Sequence, residues 1–180
     1  HFVQYLVKGG NFLNCVCLVE QNDWTNEDWS EKGDISELKH IFSDCHPEIQ
    51  EILESTKPGS LFKWGLHDRA PMNKWSKGRF SLIGDAAHPM LPFVAQGAAM
   101  AIEDGIVLAS SLSSFDNVEL GLNDYESKRK YRTAKAQRTA SRNATIFHLS
   151  DFFATFRNLV MKFFIKKIMD SFYKYDAISK

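Results

Sequence analysis

One stretch limits what this chain can fold into more than any other: Gly78 to Leu112, reading GRFSLIGDAAHPMLPFVAQGAAMAIEDGIVLASSL. The apolar run Phe80 to Ile83 is strand-like, and Gly84 lets the backbone turn as Asp85 leaves it. Pro89 and Pro92 hold the next segment extended and delay a helix, which the pattern predicts from Val94 onward. On that helix Gly97, Ala98, Ala99, Ala101 and Gly105 leave one side almost bare, so another element or a flat ligand can come close to the backbone. The first amides of a helix are unpaired donors with partial positive charge, so an anion or carbonyl is favoured near Gln96 to Ala98. Asp85 could accept hydrogen bonds from ribose-type hydroxyls. The plainer alternative is a strand-to-helix corner in which Asp85 is a cap and the small residues serve helix packing.

Composition narrows the partners. A chain of 180 residues with 44% hydrophobic content can bury one sizeable core. Lys+Arg and Asp+Glu are both 22, which argues against a polyanionic partner. The charge is unevenly spread, with eleven acids against two bases from Glu20 to Glu54 and seven bases and no acid from Lys128 to Arg142. Cys15, Cys17 and Cys45 do not make an even disulfide framework and suit a reducing compartment, so a cytoplasmic location is expected. An uninterrupted apolar span of membrane length is absent, and stable membrane insertion is not expected.

His1 to Lys8 and Phe12 to Val19 read as a hairpin around Gly9-Gly10-Asn11. His1, Val3, Tyr5 and Val7 share one strand face, so His1 and Tyr5 could point together into a pocket, or be a frayed terminal His and an ordinary half-buried Tyr. Cys15 and Cys17 lack the gap of a CxxC motif and read as core thiols. Trp24 and Trp29 are expected to dock on the hairpin, and Asp34 and Pro47 to open two short helices. His40, Asp44, Cys45 and His46 match no common zinc spacing and read as a helix link, so no metal is expected. Leu61 to Leu66 reads as a strand, and a long helix is predicted from about Leu122 after a polar gap at Ser113 to Gly121. Along it Lys128, Arg132, Lys135 and Arg138 form a basic stripe without stacking aromatics, read as a solvated face or one that answers the acidic segment, with no nucleic acid implied. The Phe-rich end, Phe147 to Ile178, reads as an amphipathic membrane-surface helix or, since Asp151, Asp170 and Asp176 dilute its positive face, as a helix docked across the rest of the fold.

The segment GDAAHPMLPFVAQGAAMAIEDG resembles the second FAD-binding motif of the class A flavoprotein monooxygenases, in their salicylate hydroxylase-like branch. Asp68-Arg69-Ala70-Pro71, Trp75 and Gly78-Arg79 resemble the lead-in to that motif, and Tyr125-Glu126 with Arg129 and Arg132 resemble its following helix. The resemblance implies an α/β class, here an α+β fragment: the C-terminal half of a glutathione-reductase-like FAD-binding fold. It would comprise part of a substrate domain at 1–70, the end of the FAD-binding domain at 71–112, and C-terminal helices at 113–180. Gly84, Asp85, Pro92, Gln96, Gly97 and Ala98 would bind FAD, and His1, Tyr5, Pro92 and Phe93 would line the aromatic substrate site. The family's Pro after that Tyr is Leu6 here.

The resemblance also implies an enzyme that takes electrons from NADH or NADPH and hydroxylates a phenolic or related aromatic acid through a flavin C4a-hydroperoxide. His1 with Tyr5 would be the base, and Gln96 would begin the helix that stabilises negative charge on the flavin. The implied partners are a small aromatic substrate, the N-terminal half of the same enzyme and, in a homodimer, a second copy. Alone, the 180 residues are expected to be inactive. The competing expectation is a non-catalytic FAD-binding or structural fragment lacking the ADP-binding half.

Overall fold

The computed structural model describes residues 1–20, 28 and 30–178, and for Asp151, Phe164, Ile165, Lys167 and Ile168 the backbone alone. Trp24 and Trp29 lie outside the described residues. The chain divides into two compact units, one made of His1–Cys17 with His67–Lys180 and the other of Leu18–Leu66.

In the first unit, β1 (Phe2–Val7) and β2 (Phe12–Cys17) form the expected antiparallel hairpin, with Tyr5 opposite Asn14 and Val7 opposite Phe12. Its turn has positive φ at Lys8, Gly9 and Gly10, so glycine at two of the three positions avoids most of the steric cost. Cys15 and Cys17 are half-buried, and burial with the neighbouring Cys15 pushes the Cys17 thiol up to about 11, which makes it a poor nucleophile.

The smaller unit holds α1 (Ile35–Ile41) and α2 (Pro47–Glu54). Asp34 caps α1 by accepting from the Ser36 amide at 2.7 Å, as its place before an apolar repeat predicted. His46 caps α2 through Nδ1, and Pro47 takes the first helical position. Leu61 to Leu66 does not form the predicted strand. Its pairing among the described residues is one bridge, Lys32 with Phe62, flanked by hydrogen bonds Gly33 N–H to Leu61 O and Lys63 N–H to Glu31 O; without a continuous ladder an apolar run stays irregular.

The rest of the first unit is built on a helix pair, α3 (Gly97–Ser113) and α4 (Val118–Phe147), and α5 (Asp151–Tyr173) follows. The apolar run before Gly84 is strand only at β4 (Phe80–Ser81), which pairs with β3 (Ser76–Lys77) in a two-residue hairpin, and Ile83 continues extended. The helix predicted from Val94 begins instead at Gly97. Pro92–Val94 forms a separate 3-10 turn, and Ala95 at φ 50°, ψ 36° breaks the path between the two. Likewise α4 begins at Val118, four residues before the predicted Leu122, because Asn117 caps it by accepting from the Glu119 and Leu120 amides.

Two buried clusters form the core. Trp75, Ala87, Val107 and Tyr125 make one, and Met100, Ala136 and Phe172 the other. Where α3 and α4 cross, a Cβ on Gly121 would stand 3.2 Å from Leu112 Cα and from Ser111 O, so this glycine sets how closely the pair can approach. The docking expected of the Phe-rich segment holds at its end only: Phe172 is buried, whereas Phe152, Phe153, Phe156 and Phe163 are exposed. Among the described residues no helix is long and apolar enough to cross a membrane.

Candidate cofactor site

Ile83 delivers the chain in extended form to Gly84, which sits at φ +59°. An L side chain is strained there, and a Cβ would come 3.3 Å from the Ala101 Cβ. The bare face of α3 is thus approached by the Gly84–Ala86 turn itself. That turn leaves Asp85 exposed, its Oδ1 4.0 Å from where a Cβ on Gly97 would lie. The carboxylate stands beside the start of α3 without capping it, which corrects the capping alternative: the helix has no side-chain cap. Its first hydrogen bond runs from Met100 N–H to Gln96 O at 2.8 Å, so the amides of Gly97, Ala98 and Ala99 precede it with no intrahelical acceptor. An acceptor of hydroxyl protons and a set of N–H donors at a positive helix end therefore occupy one corner. The lack of a Cβ at Gly97 keeps it open.

Under this corner lies a buried ionic network. Asp104, fully buried on α3, accepts from the Gly84 N–H at 3.0 Å and from Arg129 Nε at 2.7 Å, and meets His88 Nε2 at 2.6 Å. Burial alone would raise the Asp104 carboxyl, but the hydrogen bonds from His88, Arg129 and Gly84 outweigh it and leave the group below its ordinary value. Arg129 also donates to Glu103 and to the Met100 carbonyl, and Arg132 holds Glu103 with two 2.6 Å bonds. Arg132 lies under the Tyr175 ring, 3.8 Å from its centroid. The basic stripe of α4 is therefore not uniformly solvated: Arg129 and Arg132 answer the two acids of α3, and Lys128 pairs with Asp124 on its own helix.

Further along, α4 grips the loop before α3 by its main chain. Gln137 Nε2 donates to the carbonyls of Arg69 (3.2 Å) and Pro89 (3.0 Å), Asn143 Nδ2 donates to the Phe93 carbonyl (3.0 Å), and Ser141 Oγ to Asp68 Oδ2. Near its start, Glu126 accepts from the Trp75 and Ser76 amides. Arg69 does not pair with Asp68; its Nη2 donates to Ala86 O, in the Gly84–Ala86 turn. The roles of Asp104, His88 and Gln137 were missed in the sequence reading. Asp104 carried a signal, an acid within the apolar face of α3, whereas the two carbonyls that Gln137 serves are main-chain atoms and leave no trace in sequence.

On the other side, His1 stacks on Phe147 (centroids 5.4 Å apart, planes 9° apart), with Phe93 edge-on to both at 6.1 and 6.0 Å. Two of the expected substrate-side residues, His1 and Phe93, are thus in contact. Tyr5 is half exposed on β1 and Pro92 is exposed at the start of its 3-10 turn, while Gln96 is buried and Ala98 exposed. A cavity of about 250 Å³ is lined by His1, Phe147, Arg157, Asn158 and Met161.

The sequence and the fold have known counterparts. A 6-hydroxynicotinate 3-monooxygenase of Pseudomonas fluorescens is 41% identical over 147 residues, which is 79% of this chain and 37% of that protein. A 3-hydroxybenzoate 6-hydroxylase of Klebsiella oxytoca is 34% identical over 178 residues, 97% of this chain and 43% of that protein. A solved salicylate hydroxylase substrate complex superposes with a TM-score of 0.75 at 24% identity, covering 98% of this chain and 45% of the other, and shows the shared fold. The chain thus spans less than half the length of each of these proteins. The FAD binding domain family matches residues 12–140, and on that match the chain belongs to the FAD binding domain family.

Proposed function

We propose that this chain is the C-terminal part of a glutathione-reductase-like, FAD-dependent monooxygenase that uses NADH or NADPH to hydroxylate a phenolic or related aromatic acid in the cytoplasm. In this reading 1–70 belongs to the substrate domain, 71–112 completes the FAD-binding domain and 113–180 supplies the C-terminal helices. The observation that carries it is the Asp85 carboxylate beside the uncapped start of α3, in a chain of the FAD binding domain family. The residues present suit the cofactor: an exposed acid for ribityl hydroxyls, and small residues that leave amides accessible.

FAD, when bound, supplies the activation of dioxygen with electrons from the nicotinamide. Asp85 accepts hydrogen bonds from the cofactor's hydroxyls. The amides of Gly97 and Ala98, at the positive end of α3, favour negative charge on the ring, and Gln96 fixes where that end begins. Gly84 allows the turn that presents Asp85. Pro92 and Phe93 wall the reacting space and exclude water. His1 Nε2 or Nδ1, with Tyr5 further along the same strand face, takes the phenolic proton of the substrate, which raises electron density on the ring. The relatives named above act on 6-hydroxynicotinate and 3-hydroxybenzoate, both hydroxylated aromatic acids.

The test is FAD retention by the full-length protein. Asp85→Ala should weaken FAD binding about tenfold or more, since a hydrogen-bonded charge is lost, with the fold intact by circular dichroism. An unchanged dissociation constant would remove Asp85 from the site and with it the main support for this reading.

A further inference from the structure

The turn from α4 to α5 is closed by one side chain. Arg157 reaches back to the end of α4, where Nη1 donates to the carbonyls of Ile146 (3.2 Å), Phe147 (2.9 Å) and Leu149 (3.5 Å), and Nε donates to Asn158 Oδ1 (3.0 Å). These bonds orient the guanidinium but do not neutralise it, because every acceptor is an uncharged carbonyl. Arg129 and Arg132 each have a carboxylate. Arg157, half-buried, pairs with none among the described residues, and its Nη2 makes no bond to any of them. A partly desolvated cation of this kind favours an anion from outside the protein.

The space in front of Arg157 suits one kind of anion. The cavity of about 250 Å³ is walled by the stacked His1 and Phe147 rings and by Met161, and is below the usual size range of pockets for drug-sized ligands. Its walls accept the faces and edges of a single aromatic ring. Through His1 and Phe147 it borders Phe93, the residue after Pro92 in the loop that leads into α3.

We propose that this cavity seats a one-ring aromatic carboxylate, with the Arg157 guanidinium as counter-ion of the carboxylate and Phe147 and Met161 against the ring. This makes Arg157 a specificity-determining residue, and it rests on the reading of His1 as substrate-side. The anion meets Nη2 while Nη1 stays on the α4 carbonyls, so binding need not disturb the turn.

The experiment uses full-length, FAD-loaded protein and two probes, 3-hydroxybenzoate and the uncharged 3-hydroxybenzyl alcohol, with dissociation constants from calorimetry. Wild type should prefer the carboxylate. Arg157→Gln should weaken 3-hydroxybenzoate about tenfold or more, as expected for loss of a charge-assisted bond, and leave the alcohol within about twofold. Arg157→Lys, which keeps the charge, should retain part of the preference. Equal weakening of both probes would make Arg157 only the clasp of the α4–α5 turn and would overturn the assignment. So would an unchanged affinity for 3-hydroxybenzoate in Arg157→Gln, or a wild type indifferent to the carboxylate. Failure of wild-type protein to take up FAD at all would instead defeat the functional reading, and the Arg157 assignment with it.

Discussion

Single residues set the shape of the proposed FAD corner through charge. Asp104 never touches the exposed surface, yet its two oxygens bind Gly84 N–H, His88 and Arg129, so the turn that presents Asp85 is fixed from below. Replacing it with Asn leaves Arg129 with Glu103 but removes the charge at the centre, a loss we expect at about 3 kcal/mol, the low end for a broken buried ion pair. The pH dependence has a definite sign. Its folded value lies below the ordinary carboxyl value of about 3.9, so its stabilisation is complete above that pH and is lost as pH falls through the lower folded value. Denaturant titrations of wild type and Asp104→Asn should therefore differ most near neutrality and converge in acid below about pH 4; a gap that stays constant with pH would contradict the charge argument. His1 poses a separate test, this time of chemistry. His1→Ala in the full-length enzyme should lower hydroxylated product per nicotinamide consumed while flavin reduction proceeds at the wild-type rate. An unchanged yield would take the proton-accepting role away from it.

Elements carry the same logic over a longer distance. From Tyr125 to Asn143, α4 makes bonds to Leu82, Trp75, Ser76, Asp104, Pro89 and Phe93 in turn, so one helix spaces the segments that lead into α3 and α3 itself. Gln137→Ala would leave the Arg69 and Pro89 carbonyls without that donor at a cost of about 1–3 kcal/mol, and Asn143→Ala would release Phe93 at its carbonyl. In full-length protein, the double variant should bind FAD more weakly and gain less thermal stability on adding it than wild type; equal FAD-induced stabilisation in both would show that the grip does not position the site. Much of the local structure around α3 and the short elements was readable in advance. The motif at Gly84 to Gly105 placed the turn, the Pro-rich loop and the small-residue helix, and Asp34, Pro47 and the hairpin glycines marked boundaries correctly. What was not readable depends on neighbours: Phe80 to Ile83 and Leu61 to Leu66 had strand composition but too little ladder, and Ala95 took a left-handed conformation that favours glycine.

For the whole chain, charge and apolar surface point to one behaviour. Positive and negative residues balance at 22 each and the sequence pI is about 7.2, so near neutral pH little net repulsion keeps copies of the 180-residue chain apart. At the same time α5 exposes Phe152 (77%), Phe156 (61%), Leu159 (58%) and Phe163 (71%). Their spacing of four, three and four residues puts them on one helical stripe. Large exposed apolar stripes associate, and burying one such side chain is worth about 1.5–3 kcal/mol. When these 180 residues are produced alone, they should self-associate in a concentration-dependent way, seen by light scattering after size exclusion. Changing Phe152, Phe156 and Phe163 together to Ser should shift the association constant by at least about tenfold toward monomer. None of the three belongs to the core formed by Met100, Ala136 and Phe172, so helix content by circular dichroism should hold. Association that persists undiminished in the triple variant would mean that another surface drives it.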